Sequence, residues 1–123
     1  MISEHTQSAV KQTNVTSYVT SALTTNTNFL LFSSGMVKEL QIRTSISATT
    51  ATGWTTVLSL PTSLFSNLAS LHYGYLVCES ATFSDSPRTY GVKEIRINAS
   101  AEVQIFGMNN GEKYWGSFVF LDA

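Results

Sequence analysis

The residue types that most often carry chemistry are sparse in this chain. It contains two histidines, His5 and His72, and a single cysteine, Cys78. The histidines lie far apart, and neither has an acid or cysteine at metal-ligand spacing, so we expect no metal site. The sequence has no glycine-rich phosphate loop and no nucleophile elbow. A Ser–His–Asp triad built from His72 and Asp85 carries no weight among so many serines. We therefore expect no enzymatic activity and no cofactor.

One set of residues suits ligand binding instead. Aromatic and hydrogen-bonding side chains gather near the ends of predicted strands. Sugar recognition needs this mixture, because an aromatic face packs on the C–H face of a sugar ring while carboxylates and guanidinium groups bind its hydroxyls. The candidate saccharide-binding residues are His72, Asp85, Arg88, Tyr90, Tyr114 and Trp115. The alternative is that Tyr114 and Trp115 belong to a core or an interface, with Asp85 and Arg88 paired in a loop.

The composition excludes several classes of partner. Seven Lys and Arg against eight Asp and Glu give a formal net charge of −1, so we expect no nucleic-acid binding. No apolar run reaches the ~18 residues of a membrane span. Charged residues make up 12% of the chain, while Ser and Thr exceed a quarter, a balance typical of extracellular β proteins and viral structural proteins. The single cysteine and the absence of a basic, then apolar leader predict no intrachain disulfide, no signal peptide and synthesis in a reducing cytoplasm.

The chain changes character near residue 28. Residues 1–28 contain no Gly or Pro, whereas residues 29–123 contain both Trp and all seven Phe. We interpret residues 1–28 as an N-terminal attachment segment and residues 29–123 as one compact domain. Apolar residues three or four apart between Ile2 and Leu23 predict a short helix that associates between copies through Val15 and Val19. The alternative for this segment is a disordered leader.

The rest of the chain predicts strands. Residues 36–47 alternate between apolar and polar side chains, which is typical of a half-buried strand. Further strands are predicted at 30–32, 54–60, 71–79, 90–97, 102–106 and 114–121, with a connection at 61–70 that includes a helical turn. Strands with turns at short spacing and no long helices predict an all-β fold, an antiparallel β-sandwich or barrel of jelly-roll type.

The last predicted strand is apolar on both faces. Tyr114, Phe118 and Phe120 alternate with Trp115, Val119 and Leu121. Because a strand of this kind is covered on both sides and a sandwich of this size covers only one, we expect another copy of the chain to cover the second side. The predicted interface residues are Trp115, Val119 and Leu121. The alternative is that the 61–70 connection covers half of this strand.

Two stretches carry a resemblance to a known family. They are GWTTVLSLP at residues 53–61 and GVKEIRINASAEVQI at residues 91–105, followed by the aromatic final strand. Together they resemble the C-terminal head domains of tail receptor-binding proteins from phages of Gram-positive bacteria. The usual hairpin glycine is replaced here by Ala99-Ser100-Ala101, and the N-terminal stalk would be short.

The resemblance implies a function and a set of partners. Such heads are trimeric β domains on an N-terminal helical stalk, and they bind saccharides of the host cell wall. It therefore implies a homotrimer on the virion, held to other virion proteins through its N-terminus and bound to host carbohydrate. The alternatives are a virion structural protein without a ligand, such as a head fibre, neck or decoration protein, and an enzyme that depolymerises polysaccharide.

Overall fold

The computed structural model describes residues 10–23, 28–45, 50–68, 70–79 and 90–123. These residues form eight strands and two short 3-10 helices, Thr16–Tyr18 and Thr62–Leu64. The strands are β1 (Lys11–Asn14), β2 (Asn28–Ser34), β3 (Val37–Ser45), β4 (Trp54–Ser59), β5 (His72–Glu79), β6 (Tyr90–Ile97), β7 (Glu102–Phe106) and β8 (Lys113–Leu121). Seven of them correspond to strands predicted from the sequence, with ends shifted by up to two residues.

All eight strands belong to one antiparallel sheet. Their order across the sheet is β1-β2-β3-β8-β5-β6-β7-β4. The sheet curls into a half-barrel, so the predicted antiparallel all-β fold is confirmed and the barrel describes it better than two separate sheets. β8 lies near the middle of the sheet, paired with β3 along its length and with β5 over Lys113, Tyr114 and Trp115.

The core lies inside the curl of the sheet. Alternate residues of each strand point inward, among them Leu40 and Ile42 of β3, Ile95 and Ile97 of β6, and Phe118 of β8. Each of these side chains is buried, as the period of two along a strand requires. The opposite side chains of the same strands form the outer face of the sheet, which carries the site described below.

The N-terminal segment departs from the prediction. Over residues 10–23 the chain forms β1 and a single 3-10 turn instead of the predicted helix, while residues 1–9 lie outside the described residues. The Val15 N–H donates to the Phe29 carbonyl (3.1 Å) on β2, and the Thr20 N–H donates to the Val57 carbonyl (3.0 Å) on β4. Residues 15–23 therefore cross from one end of the sheet to the other, and we call them the strap.

The strap also completes the core. Val15 is fully buried and Leu23 is buried in the same hydrophobic cluster as Phe29. Burial of such side chains stabilises a fold by about 1.5–3 kcal/mol each. This packing accounts for the missing helix, because threonines and β-branched residues are poor helix formers and hydrogen bonds to β2 and β4 are available instead.

A bulge in β4 changes which way Trp54 points. The sequence pattern places Trp54, Leu58 and Leu60 on one side of the strand. In the structure the pairing with β7 shifts between Thr56 and Leu58, and both Val57 and Leu58 are buried. Because a bulge inserts one extra residue, Trp54 lies on the outer face, opposite the side that holds Leu58.

Asn98 organises the turn between β6 and β7. Its side-chain oxygen accepts hydrogen bonds from the Ser100 and Glu102 N–H groups, both at 3.0 Å. Ala101 then adopts a φ of +61°, in the left-handed region that glycine enters without strain.

Candidate functional site

The outer face of β8 is uncovered. Val119 is 58% exposed and Leu121 is 51% exposed, although both neighbours of Val119 on the inner side are buried. The 61–68 connection packs on the inner side, where the Phe65 ring lies 5.9 Å from the Phe120 ring. The connection therefore does not cover Val119 and Leu121, and more than half of each of these residues stays exposed.

The exposed apolar surface continues onto the neighbouring strands. Register pairs Val37 of β3 with Leu121, and Val77 of β5 with both Trp115 and Val92. Val92 is 69% exposed, an unusual exposure for an aliphatic side chain in the middle of a sheet. Monomers rarely present contiguous apolar patches of this kind unless they bind something. We call this surface the outer apolar face; it consists of Val37, Tyr75, Val77, Val92, Val119 and Leu121.

An open groove lies beside this surface, around Trp115. It has a volume of about 820 Å³, within the range of small-molecule sites. Gly116, with a φ of +141° that favours glycine, follows Trp115 directly after the pairing of β8 with β5 ends. Polar residues from four strands line the groove together with Trp115: Asn28, Gln41, Arg43, Glu79, Lys113 and Ser117. The groove thus combines one aromatic surface with amide, hydroxyl and charged groups.

Two predicted site residues come together at this groove. Trp115 lines it, and the Tyr90 ring lies edge-on to Trp115 with 6.4 Å between ring centroids. Tyr90 is exposed at the start of β6. The pair gives a ligand in the groove a second aromatic surface at its margin.

The other predicted site residues lie elsewhere. Tyr114 is fully buried, because alternation along β8 points it inward, and its hydroxyl donates to Glu112. Its ring is therefore inaccessible to a ligand, and its predicted role in saccharide contact is wrong for this structure. His72 starts β5, far along the strand from Glu79, and its ring lies 6.0 Å from Phe120. Asp85 and Arg88 lie outside the described residues.

Val15 and Val19 also differ from their predicted place. Both were predicted to lie between copies of the chain. Val15 is 0% exposed in the core, and Val19 packs against the core and forms a β-bridge with Leu58. Both side chains pack within their own chain, because the strap places the apolar residues of the predicted helix against the core.

None of the six polar groove residues was among the predicted site residues. The alternation over residues 36–47 places Gln41 and Arg43 on the polar side of β3. What the sequence could not supply was the pairing of β3 with β8, which sets Arg43 opposite Trp115 and Gln41 opposite Ser117. The sequence indicates a polar face on β3, but it does not indicate which strand lies beside that face.

Behind the groove, on the inner side, β5 and β8 hold a buried polar cluster. Glu112 accepts hydrogen bonds from the Tyr114 hydroxyl and the Asn109 N–H, and the Lys93 ammonium lies 3.3 Å from it. Burial raises the pKa of Glu112, but these hydrogen bonds and the Lys93 charge bring the pKa below its usual value. Burial, reinforced by the negative charge of Glu112, raises the pKa of the Cys78 thiol to about 11.

This cluster predicts a slowly reacting thiol. At pH 9 we expect Cys78 to react with iodoacetamide at about one tenth of the rate of free cysteine or less. Only the thiolate reacts, and the raised pKa of Cys78 leaves little thiolate at this pH. The substitution Glu112→Gln should speed the reaction by removing the charge that raises the Cys78 pKa, while Glu102→Gln should leave it unchanged. A wild-type rate equal to that of free cysteine would contradict this environment.

The raised pKa of Cys78 also makes the stability of the fold depend on pH. The unfolded thiol ionises near pH 9.0, whereas the folded thiol keeps its proton until about pH 11. The contribution of Cys78 to stability is therefore complete below pH 9 and is lost as the pH rises to 11.

Metal chemistry and membrane spanning find no support in the described residues. No group of three or more His, Cys, Asp or Glu side chains in them could hold a metal ion. Those residues also contain no helix with the length and apolarity needed to cross a bilayer. Comparison of the chain with known protein families and with curated proteins finds no match in either.

Proposed function

We propose that this chain is a non-catalytic adhesion module that binds saccharide in the Trp115 groove. The observation that supports the proposal most is the groove itself, in which Trp115 is surrounded by polar groups of both charges. An indole can pack on the C–H face of a sugar, and the surrounding amide, carboxylate and guanidinium groups can bind its hydroxyls. The edge-on Tyr90 adds a second apolar contact.

The proposed assembly is a homotrimer, with copies meeting on the outer apolar face. The exposure of Val119, Leu121 and Val92 supports association, since more than half of each residue's surface is left in contact with water. The groove adjoins this face, so each copy would hold its site close to a neighbour. Several weak sites on one particle gain avidity without any new contact, which favours a polysaccharide over a free monosaccharide as ligand.

The phage setting rests on the resemblance of residues 53–61 and 91–105 to tail receptor-binding heads. In that setting the chain is a virion protein that is attached to other virion proteins through its N-terminus and binds host cell-wall carbohydrate.

The test is a binding measurement on the Trp115→Ala variant. We expect its affinity for host cell-wall polysaccharide to fall about tenfold or more, because the stacking surface is lost while the strand remains. Tyr18→Ala is the matched control, since Tyr18 is an exposed aromatic residue in the strap that does not line the groove. Wild-type protein that binds no glycan on an array and no whole cells at high concentration would overturn the proposal.

A second candidate function is a virion structural protein without ligand. The outer apolar face favours it, because that surface serves assembly equally well. The Trp115→Ala variant separates the two functions. Lost adsorption with intact assembly supports saccharide binding, whereas unchanged adsorption with impaired assembly supports the structural function.

A further inference from the structure

A second aromatic cluster lies on the outer face, away from the Trp115 groove. It is built from Trp54 of β4, Phe106 of β7 and Tyr73 of β5. The Trp54 ring centroid lies 5.3 Å from that of Phe106 and 5.9 Å from that of Tyr73. Tyr73 is 55% exposed and Phe106 is 45% exposed. Three rings from different strands thus form one accessible apolar surface, which exists because the β4 bulge turns Trp54 outward.

An arginine is held rigidly on this surface. The guanidinium carbon of Arg96 lies 4.2 Å from the centroid of the Trp54 ring, a cation–π contact. Its Nε donates to Gln104 Oε1 (2.7 Å), and Gln104 Nε2 in turn donates to Thr56 Oγ1 (3.1 Å). A guanidinium fixed at its face and at one nitrogen loses little further freedom when it binds a ligand.

The charge of Arg96 is not neutralised within the described part of the chain. Two carboxylates lie on nearby positions of the same face, Glu94 on β6 and Glu102 on β7, and neither forms an ion pair with Arg96. Glu102 instead accepts a hydrogen bond from the Asn98 side chain. Of the five N–H donors of Arg96, only the one on Nε has a partner among the described residues.

We infer that Arg96 and Trp54, flanked by Tyr73 and Phe106, form a subsite for an oxyanion, carboxylate or phosphate, carried on a sugar ring. The free edge of a guanidinium binds two oxygens of such a group in a bidentate manner. The adjoining rings offer the apolar surface that the sugar needs. This inference deepens the proposed function by naming an acidic saccharide, but it rests on residues other than those of the Trp115 groove.

The experiment is a titration of full-length protein followed by the NMR signal of the Trp54 indole N–H. Three probes distinguish the sources of charge: digalacturonate for a carboxylate, glucose 1-phosphate for a phosphate, and the neutral disaccharide cellobiose. We expect at least one acidic probe to shift the Trp54 signal, with an affinity that weakens as salt is raised, and cellobiose to leave that signal in place. Equal shifts with acidic and neutral probes would overturn the inference.

Substitutions assign the binding to the residues. Arg96→Lys keeps the charge but loses the planar edge, so the affinity for the acidic probe should fall about tenfold. Gln104→Leu removes only the group that positions Arg96 and should give a smaller loss. Lys11→Arg, which keeps the charge of an exposed residue of β1 outside both sites, is the control and should have no effect on the Trp54 shift. Unchanged affinity in both the Arg96 and Gln104 variants would contradict the subsite.

The outcomes separate this inference from the proposed function. If Trp115→Ala abolishes polysaccharide binding while the acidic probes still shift Trp54, both stand. If the acidic probes bind only when Trp115 is present and regardless of Arg96, the groove binds saccharide and the subsite is wrong. If the acidic probes shift Trp54 in the wild type but no glycan depends on Trp115, the subsite stands and the proposed groove function fails.

Discussion

The substitution Asp122→Ala is expected to lower the free energy of unfolding by about 3 kcal/mol or more. The Asp122 side chain is 1% exposed, and its carboxylate lies 3.8 Å from the Lys38 ammonium, which is 7% exposed. Its oxygens also accept the Ser66 N–H (2.6 Å) and the Asn67 N–H (2.8 Å). Alanine would leave a buried cation without its carboxylate and two N–H groups without acceptors.

Urea denaturation followed by fluorescence measures this effect. Asp122→Asn keeps oxygen for one N–H and should cost less than alanine. Glu94→Ala removes an exposed carboxylate on β6 and should change stability by no more than about 0.5 kcal/mol. A loss below about 1 kcal/mol for Asp122→Ala would show that the carboxylate does not hold the 61–68 connection against the end of β8.

The substitution Val119→Lys is expected to dissociate the assembly into folded monomers. Val119 is exposed on the outer apolar face and lies opposite Glu39 of β3 in the register. A lysine there can pair with Glu39 in the monomer, so the fold should be retained. Between copies the same lysine would bring a charge into an apolar contact, so the dissociation constant should rise about 100-fold, equivalent to about 2.7 kcal/mol.

The matched control places the same change on another exposed valine. Val10→Lys alters a residue just ahead of β1, outside the outer apolar face, and should leave the assembly intact. Sedimentation velocity of the two variants beside the wild type measures the difference. A Val119→Lys variant with the sedimentation coefficient of the wild type would show that β8 does not lie at the interface.

The strands were predictable because the alternation of apolar and polar residues within each strand indicates which side chains are buried. The alternation in β3 and in β8 indicates which side chains face inward, and it shows apolar residues on both sides of β8, including the exposed Val119. Turn residues marked the hairpin at Asn98 in the same way. These are local properties, and they depend on no knowledge of which strand pairs with which.

The strap was not predictable, because its hydrogen bonds join residues far apart in the sequence. Thr20 bonds to β4, whose residues lie more than thirty positions away. An apolar spacing of three or four can arise from a helix or from an irregular segment that buries a few side chains, and Val15 and Leu23 are of the second kind. Only the partner strands separate these two cases.

The candidate sites were only partly predictable from the sequence. Trp115 and Tyr90 were identified from their chemistry, whereas Gln41 and Arg43 needed the β3–β8 register to become groove residues. Trp54 lies on the same face as Arg96 because of the bulge in β4, a one-residue shift that the local sequence pattern does not predict. Sequence reasoning thus found the residues whose type was unusual and missed those that only pairing brings together.

The central claim is that sister copies cover the outer apolar face. Sedimentation equilibrium of the wild-type chain at micromolar concentration tests it most directly. The account predicts a single species with the mass of three chains. A stable species with the mass of one chain at that concentration would contradict it.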